Sequence, residues 1–143
     1  MKTWVVRSMS LVGVCAAVCI LSLPRALPLA LAWSRSDVLF RGEADTKRLF
    51  LTIDDAPSDS TSAILAVLKK HNVPATFFII GNRVQSDAQL LNIVEAGYSL
   101  GHHMRTTDRC SKLPIDRFRA DFDFTDHLLR RFAVPGYFRP PSD

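Results

Sequence analysis

The chain has 143 residues, 18 of them Lys or Arg against 14 Asp or Glu, and 48% are hydrophobic. That is enough apolar material for one packed domain and too little length for two ordinary ones. The basic excess does not mark a nucleic-acid surface, because it is concentrated at the N-terminus: residues 1–32 hold Lys2, Arg7 and Arg25 and no acid, and without them 15 basic face 14 acidic residues, a balance of +1.

Residues 1–32 read as a secretory signal peptide. Lys2 and Arg7 make a basic start, Met9 to Leu23 is an uncharged apolar run, Pro24 and Arg25 end it, and Ala30-Leu31-Ala32 offers a small-residue cleavage site before Trp33. The run is shorter than the about 20 residues that span a bilayer. The expected product is therefore secreted; an uncleaved N-terminal segment anchoring the chain to a membrane is the alternative. Cys15 and Cys19 fall in the signal, which leaves Cys110 without an internal disulfide partner. Residues 33–47 show no clear period and read as a linker.

From residue 48 strand and helix patterns alternate. Leu49 to Ile53 is a short buried strand, followed by Asp54-Asp55-Ala56-Pro57-Ser58. Ser60 is placed to cap a helix reaching about His71, with Ile64, Leu65 and Leu68 on its apolar face, and Asn72-Val73-Pro74 stops it. Ala75 to Ile80 is the second strand, closed by Gly81-Asn82. Ser86-Asp87-Ala88-Gln89 has capping-box spacing for a second helix that Gly97 ends. Tyr98-Ser99-Leu100 is a third strand leading into Gly101-His102-His103. Pro114 opens a third helix whose Ile115, Phe118, Phe122, Leu129 and Phe132 recur at helical steps. Pro135-Gly136 is a turn, and Tyr137-Phe138 begins a fourth strand. The pattern βαβαβαβ predicts a parallel sheet or barrel. The 111 residues that follow the signal are too few for a (β/α)8 barrel of about 250, so the expectation is a partial (β/α) barrel stopping after about the fourth strand.

The strand ends bring Asp54, Asp55, His102, His103 and Arg139 to one face of such a sheet, where α/β folds place their chemistry. Adjacent carboxylates repel unless something relieves them. Carboxylate with imidazole is a ligand set for zinc or a similar ion. Each piece also has a plainer reading: a turn for the Asp pair, a loop feature for the His pair, a surface ion pair for Arg139.

The order of the segments tips the balance. Leu51-Thr52-Ile53-Asp54-Asp55-Ala56-Pro57-Ser58 resembles the Thr-Phe-Asp-Asp-Gly-Pro segment of the polysaccharide deacetylase family (the NodB-homology, or carbohydrate esterase family 4, domain). Val73 to Asn82 is similar to that domain's second strand, and Phe138-Arg139-Pro140-Pro141 to its arginine-proline motif. The resemblance covers residues 48–143. It implies a hydrolase acting on carbon–nitrogen bonds other than peptide bonds, which uses a divalent metal (zinc or cobalt) to remove N-acetyl or O-acetyl groups from a polysaccharide such as chitin or peptidoglycan. By position, Asp54 matches the general base, Asp55 and His103 match metal ligands, and Arg139 matches the arginine that orients the base.

The chain departs from the family pattern at one ligand. The histidine expected four residues after His103 is Thr107, and starting instead from His102 reaches Thr106. Asp108 is the next residue able to substitute. The family's general acid, a histidine in a late Leu-x-His motif, is expected beyond Asp143. The alternative to an enzyme is thus an inactive, truncated homologue or fragment with at most carbohydrate binding.

Overall fold

The structure, a computed structural model, describes residues 47 and 49–141; the expectations for the signal and linker lie outside those residues. Three strands, β1 (Leu51–Ala56), β2 (Ala75–Ile79) and β3 (Ser99–His102), form a parallel sheet in the order β1-β2-β3. The helices α1 (Thr61–His71), α2 (Asp87–Glu95) and α3 (Ile115–Arg130) alternate with them. Phe138 makes a parallel bridge to His102, so the next extended segment lies beside β3. Spatial order follows chain order without reversal. That is the progression of a barrel wall; a doubly wound sheet reverses direction at its centre.

Local chemistry sets the helix ends. Asn72 takes a left-handed conformation (φ 51°) and its N–H returns to the end of α1. Gln89 Oε1 accepts from the backbone N–H of Ser86 at 3.3 Å and of Gln85 at 2.7 Å, which satisfies donors at the start of α2. Gly97, at φ +86°, ends that helix, and its N–H reaches Val94 O at 2.9 Å. Ser60 differs from expectation: it sits at the start of α1 but its side chain makes no capping bond. Thr61 Oγ1 accepts instead, from Ser58 N–H at 2.8 Å.

Phe77 and Ile79 of β2 lie in a core with Leu90 and Ile93 of α2, Leu100 of β3 and Leu129 of α3. Burying each of these side chains contributes about 1.5–3 kcal/mol. Strand alternation turns Phe78 to the opposite face, where it is also buried.

Two departures matter for the site. First, β1 starts at Leu51 and runs through the Asp pair to Ala56, with its register against β2 shifting between Ile53 and Ala56. Asp54 and Asp55 thus occupy a bulge and not a turn after the strand. Second, the buried line of α3 is Asp121, Thr125 and Leu129, while Ile115 is 61% exposed. Arg117 Nε bonds Asp121 Oδ2 at 2.7 Å, and glycine at 81 makes room for Thr125, whose Oγ1 a Cβ there would meet at 2.4 Å; Asp121 Oδ1 and Thr125 Oγ1 are buried without a hydrogen-bond partner. Phe118 and Phe122 pack against Phe138, whose ring centroid lies 6.4 and 5.4 Å from theirs.

Candidate active site

The C-terminal ends of the strands bring Asp54, Asp55, His103 and Arg139 together. Arg139 follows Phe138 at the edge of the sheet, and its backbone N–H binds His102 O at 2.9 Å. Its guanidinium donates to Asp54 Oδ1 at 2.6 Å and to Thr52 Oγ1 at 2.9 Å. Beneath it lies the ring of Phe78, 4.2 Å from the guanidinium carbon. Gly101 makes room for that ring, since a Cβ at 101 would stand 2.6 Å from Phe78 Cδ1. Asp54 is therefore aimed by an arginine that is itself held on three sides. Its side chain remains 43% exposed, open to water and substrate.

Asp55 leaves the bulge in the left-handed region (φ +63°), as does Met104 just after His103 (φ +64°). Non-glycine residues adopt this backbone at a cost, and such residues cluster at functional sites. His103 is buried. Its Nδ1 lies 2.7 Å from the main-chain oxygen of Arg139, which only accepts, so Nδ1 carries a proton and Nε2 is turned toward Asp55. Asp55 Oδ1 is 3.5 Å from that Nε2.

His102 does something else. It is 1% exposed, and both ring nitrogens are occupied: Met104 N–H donates to Nδ1 at 3.2 Å, and Nε2–H donates to Phe122 O at 2.9 Å. Its ring stacks on Phe122 with centroids 4.2 Å apart. Burial pushes its pKa below the ordinary 6.5, against the opposing pull of the Phe122 carbonyl and of Asp126. It is a neutral core histidine tying β3 to α3.

The sequence motifs do not single out three residues of the site: Thr52, Phe78 and Arg83. Arg83 donates to Asp55 O at 2.5 Å and to Asp55 Oδ2 at 3.2 Å. It ends a short 3-10 turn, Gly81–Arg83, directly after β2. The rule that strand ends converge, which picks out the Asp and His pairs, applies equally to this position.

Residues 41–142 match the family model described as polysaccharide deacetylase. The chain belongs to the polysaccharide deacetylase family. It is 33% identical over 106 residues to a peptidoglycan-N-acetylglucosamine deacetylase of Bacillus cereus, covering 71% of this chain and 38% of that protein. A family 4 acetyl xylan esterase from Clostridium thermocellum, solved with a cobalt ion, superposes with a TM-score of 0.59 at 32% identity, over 64% of this chain and 47% of the esterase. A mutant of a family pseudoenzyme with restored enzymatic activity superposes with a TM-score of 0.66 at 35% identity, over 71% of this chain and 39% of its own. The chain thus spans less than half the length of each.

The family is metal-dependent, so the donor set is worth testing against an ion. Two bonds of zinc length at a tetrahedral angle separate their donors by about 3.3 Å, close to the 3.5 Å between Asp55 Oδ1 and His103 Nε2. The hydrogen bond from His103 Nδ1 to a backbone carbonyl is also the usual support for a ligating imidazole. The third donor fails. Thr107 stands in its place, and among the described residues no group of three His, Cys, Asp or Glu could hold a metal. Asp108 does not substitute: its Oδ2 accepts from Thr106 Oγ1 at 2.9 Å and lies 3.9 Å from Arg117. Two protein donors do not fit the three of a catalytic zinc site.

Proposed function

We propose that the protein acts on an acetylated amino-sugar polysaccharide of the peptidoglycan or chitin type and removes its N-acetyl groups, with Asp54 as the proton acceptor. The observation that carries this reading is the Asp54–Arg139 pair in a polysaccharide deacetylase fold. Arg139 occupies one carboxylate oxygen of Asp54 at 2.6 Å and leaves Oδ2 to take a proton from a water attacking the acetyl carbon. Thr52 and Phe78 fix the guanidinium, so the carboxylate is oriented before substrate arrives. The similarity to a peptidoglycan-N-acetylglucosamine deacetylase supports the amino-sugar polymer; the acetyl xylan esterase shows that relatives also take other acetylated chains.

The test is acetate release by the full chain, with added divalent metal, from N-acetylglucosamine oligomers and from O-acetylated xylo-oligomers. Release from the first that disappears in Asp54→Asn supports the proposal. Release that survives Asp54→Asn, or that occurs only from O-acetyl esters, refutes it.

A second reading, a homologue that binds the polysaccharide without hydrolysing it, is favoured by Thr107 in the place of a metal-ligating histidine. It predicts retention of the oligomers without acetate release by the unmodified chain, and on Thr107→His a tighter metal site with acetate release still absent.

A further inference from the structure

The two adjacent carboxylates of the bulge raise a charge problem. Here each has its own guanidinium: Asp54 pairs with Arg139 at 2.6 Å and Asp55 with Arg83 at 3.2 Å. Two negative charges are thereby matched by two positive ones, without an ion. Arg83 grips Asp55 at two points, the main-chain oxygen and Oδ2, and so also steadies its left-handed backbone. The turn that carries Arg83 is pinned in turn: Gly81 N–H binds Met104 O and Asn82 N–H binds Arg105 O, each at 3.0 Å. The clamp springs from the turn after β2 and is held by the loop that follows β3, the same stretch that carries His103 and Thr107.

We infer that Arg83 is the resident cation of the Asp55 site, so that a divalent ion binds Asp55 and His103 only against or in place of its guanidinium. A guanidinium on Oδ2 at 3.2 Å lies on the order of 6 Å from an ion bridging Oδ1 and His103 Nε2. Even at the dielectric of bulk water, a single charge and a double charge at that separation repel by about a factor of ten in affinity. Loss of the third donor and a standing arginine act in the same direction: the site has exchanged a metal for an internal ion pair. The inference concerns the ion and not the substrate, so acetate release does not bear on it.

The experiment is titration of the full chain with cobalt(II), followed by calorimetry and by the visible absorption of the bound ion. Arg83→Gln keeps a donor for the Asp55 carbonyl and removes the charge. It should bind cobalt about tenfold more tightly than the unmodified chain, whereas Arg83→Lys, which keeps the charge, should not. Arg83→Met is a second neutral variant and should also gain. Adding Asp55→Asn to Arg83→Gln should abolish the gain. Equal affinity in Arg83→Gln and the unmodified chain, a gain in Arg83→Lys as large as in Arg83→Gln, or a gain that survives Asp55→Asn would each overturn the inference. Loss of the folded circular dichroism spectrum in both neutral variants would overturn it too, because Arg83 would then be a structural residue.

Discussion

Truncating His102 should unfold much of the molecule's margin of stability, and do so without touching the catalytic groups. In His102→Ala the Met104 N–H loses its buried partner, at about 1–3 kcal/mol, and the Phe122 carbonyl, still bonded within its helix, loses a second hydrogen bond worth about 0.5–1.5 kcal/mol. The stacked contact with Phe122 adds about 0.5–1.5 kcal/mol. The expected loss is about 2–6 kcal/mol against a total of about 5–15 for an ordinary domain. His102→Gln retains an amide that reaches the Phe122 carbonyl and should recover about half. The same residue carries a pH signature. Burial lowers its pKa in the folded state, so the stabilisation is fully present above the unfolded value of 6.5 and is lost as pH falls through the lowered folded value. The limiting slope is about 1.4 kcal/mol per pH unit. Asp126 and His103 are the charged or titratable neighbours that act on it, in opposite directions. Urea unfolding followed by circular dichroism at pH 7.5, 6.5 and 5.5 reads both effects. A loss below 1 kcal/mol in His102→Ala, or an acid slope unchanged by the substitution, would show that His102 is not the buried linchpin the geometry makes it.

Three other outcomes are expected. Gly101→Ala should cost about 1–3 kcal/mol by overpacking, because its Cβ meets the buried Phe78 ring at 2.6 Å, and a shift in thermal midpoint checks it. Thr107→His should supply the missing donor and raise cobalt affinity at least about tenfold, measured by calorimetry; an unchanged affinity would mean that residue 107 does not face Asp55 and His103. Signal cleavage should follow Ala32, so N-terminal sequencing of exported protein should start at Trp33, and a membrane-bound product starting at Met1 would contradict it.

The parts of the fold legible in the sequence were those written by strong local rules. The Ser-x-x-Gln start and Gly97 end of α2, the Asn-Val-Pro stop of α1 and the apolar run of β2 all lie where caps, breakers and burial put them. The bulge was not legible, because nothing in Asp-Asp-Ala-Pro distinguishes a strand that slips its register from one that ends in a turn. The apolar stripe of α3 marks its inner face only in part: Leu129 is in the core, Phe132 packs on it and Phe118 and Phe122 are half-buried, but Ile115 is exposed, and the helix also buries Asp121 and Thr125, the latter against Gly81, 44 residues away. Within Gly101-His102-His103 the two imidazoles look alike in sequence. Position in the family motif picks out His103, and the tertiary partners, Met104 and Phe122 for one and Arg139 and Asp55 for the other, show why His102 is a core residue.

Residue 139 serves two neighbours through two different kinds of atom. Its guanidinium aims Asp54, which only arginine does in this way, while its peptide oxygen orients His103, which any residue there provides. Mutation can reach the first service and not the second. A lineage that drifts at this codon loses the alignment of its base in a single step, yet keeps the tautomer and direction of its imidazole. A substitution at 139 therefore separates the two halves of the site: the base loses its alignment while the carbonyl that orients the imidazole stays.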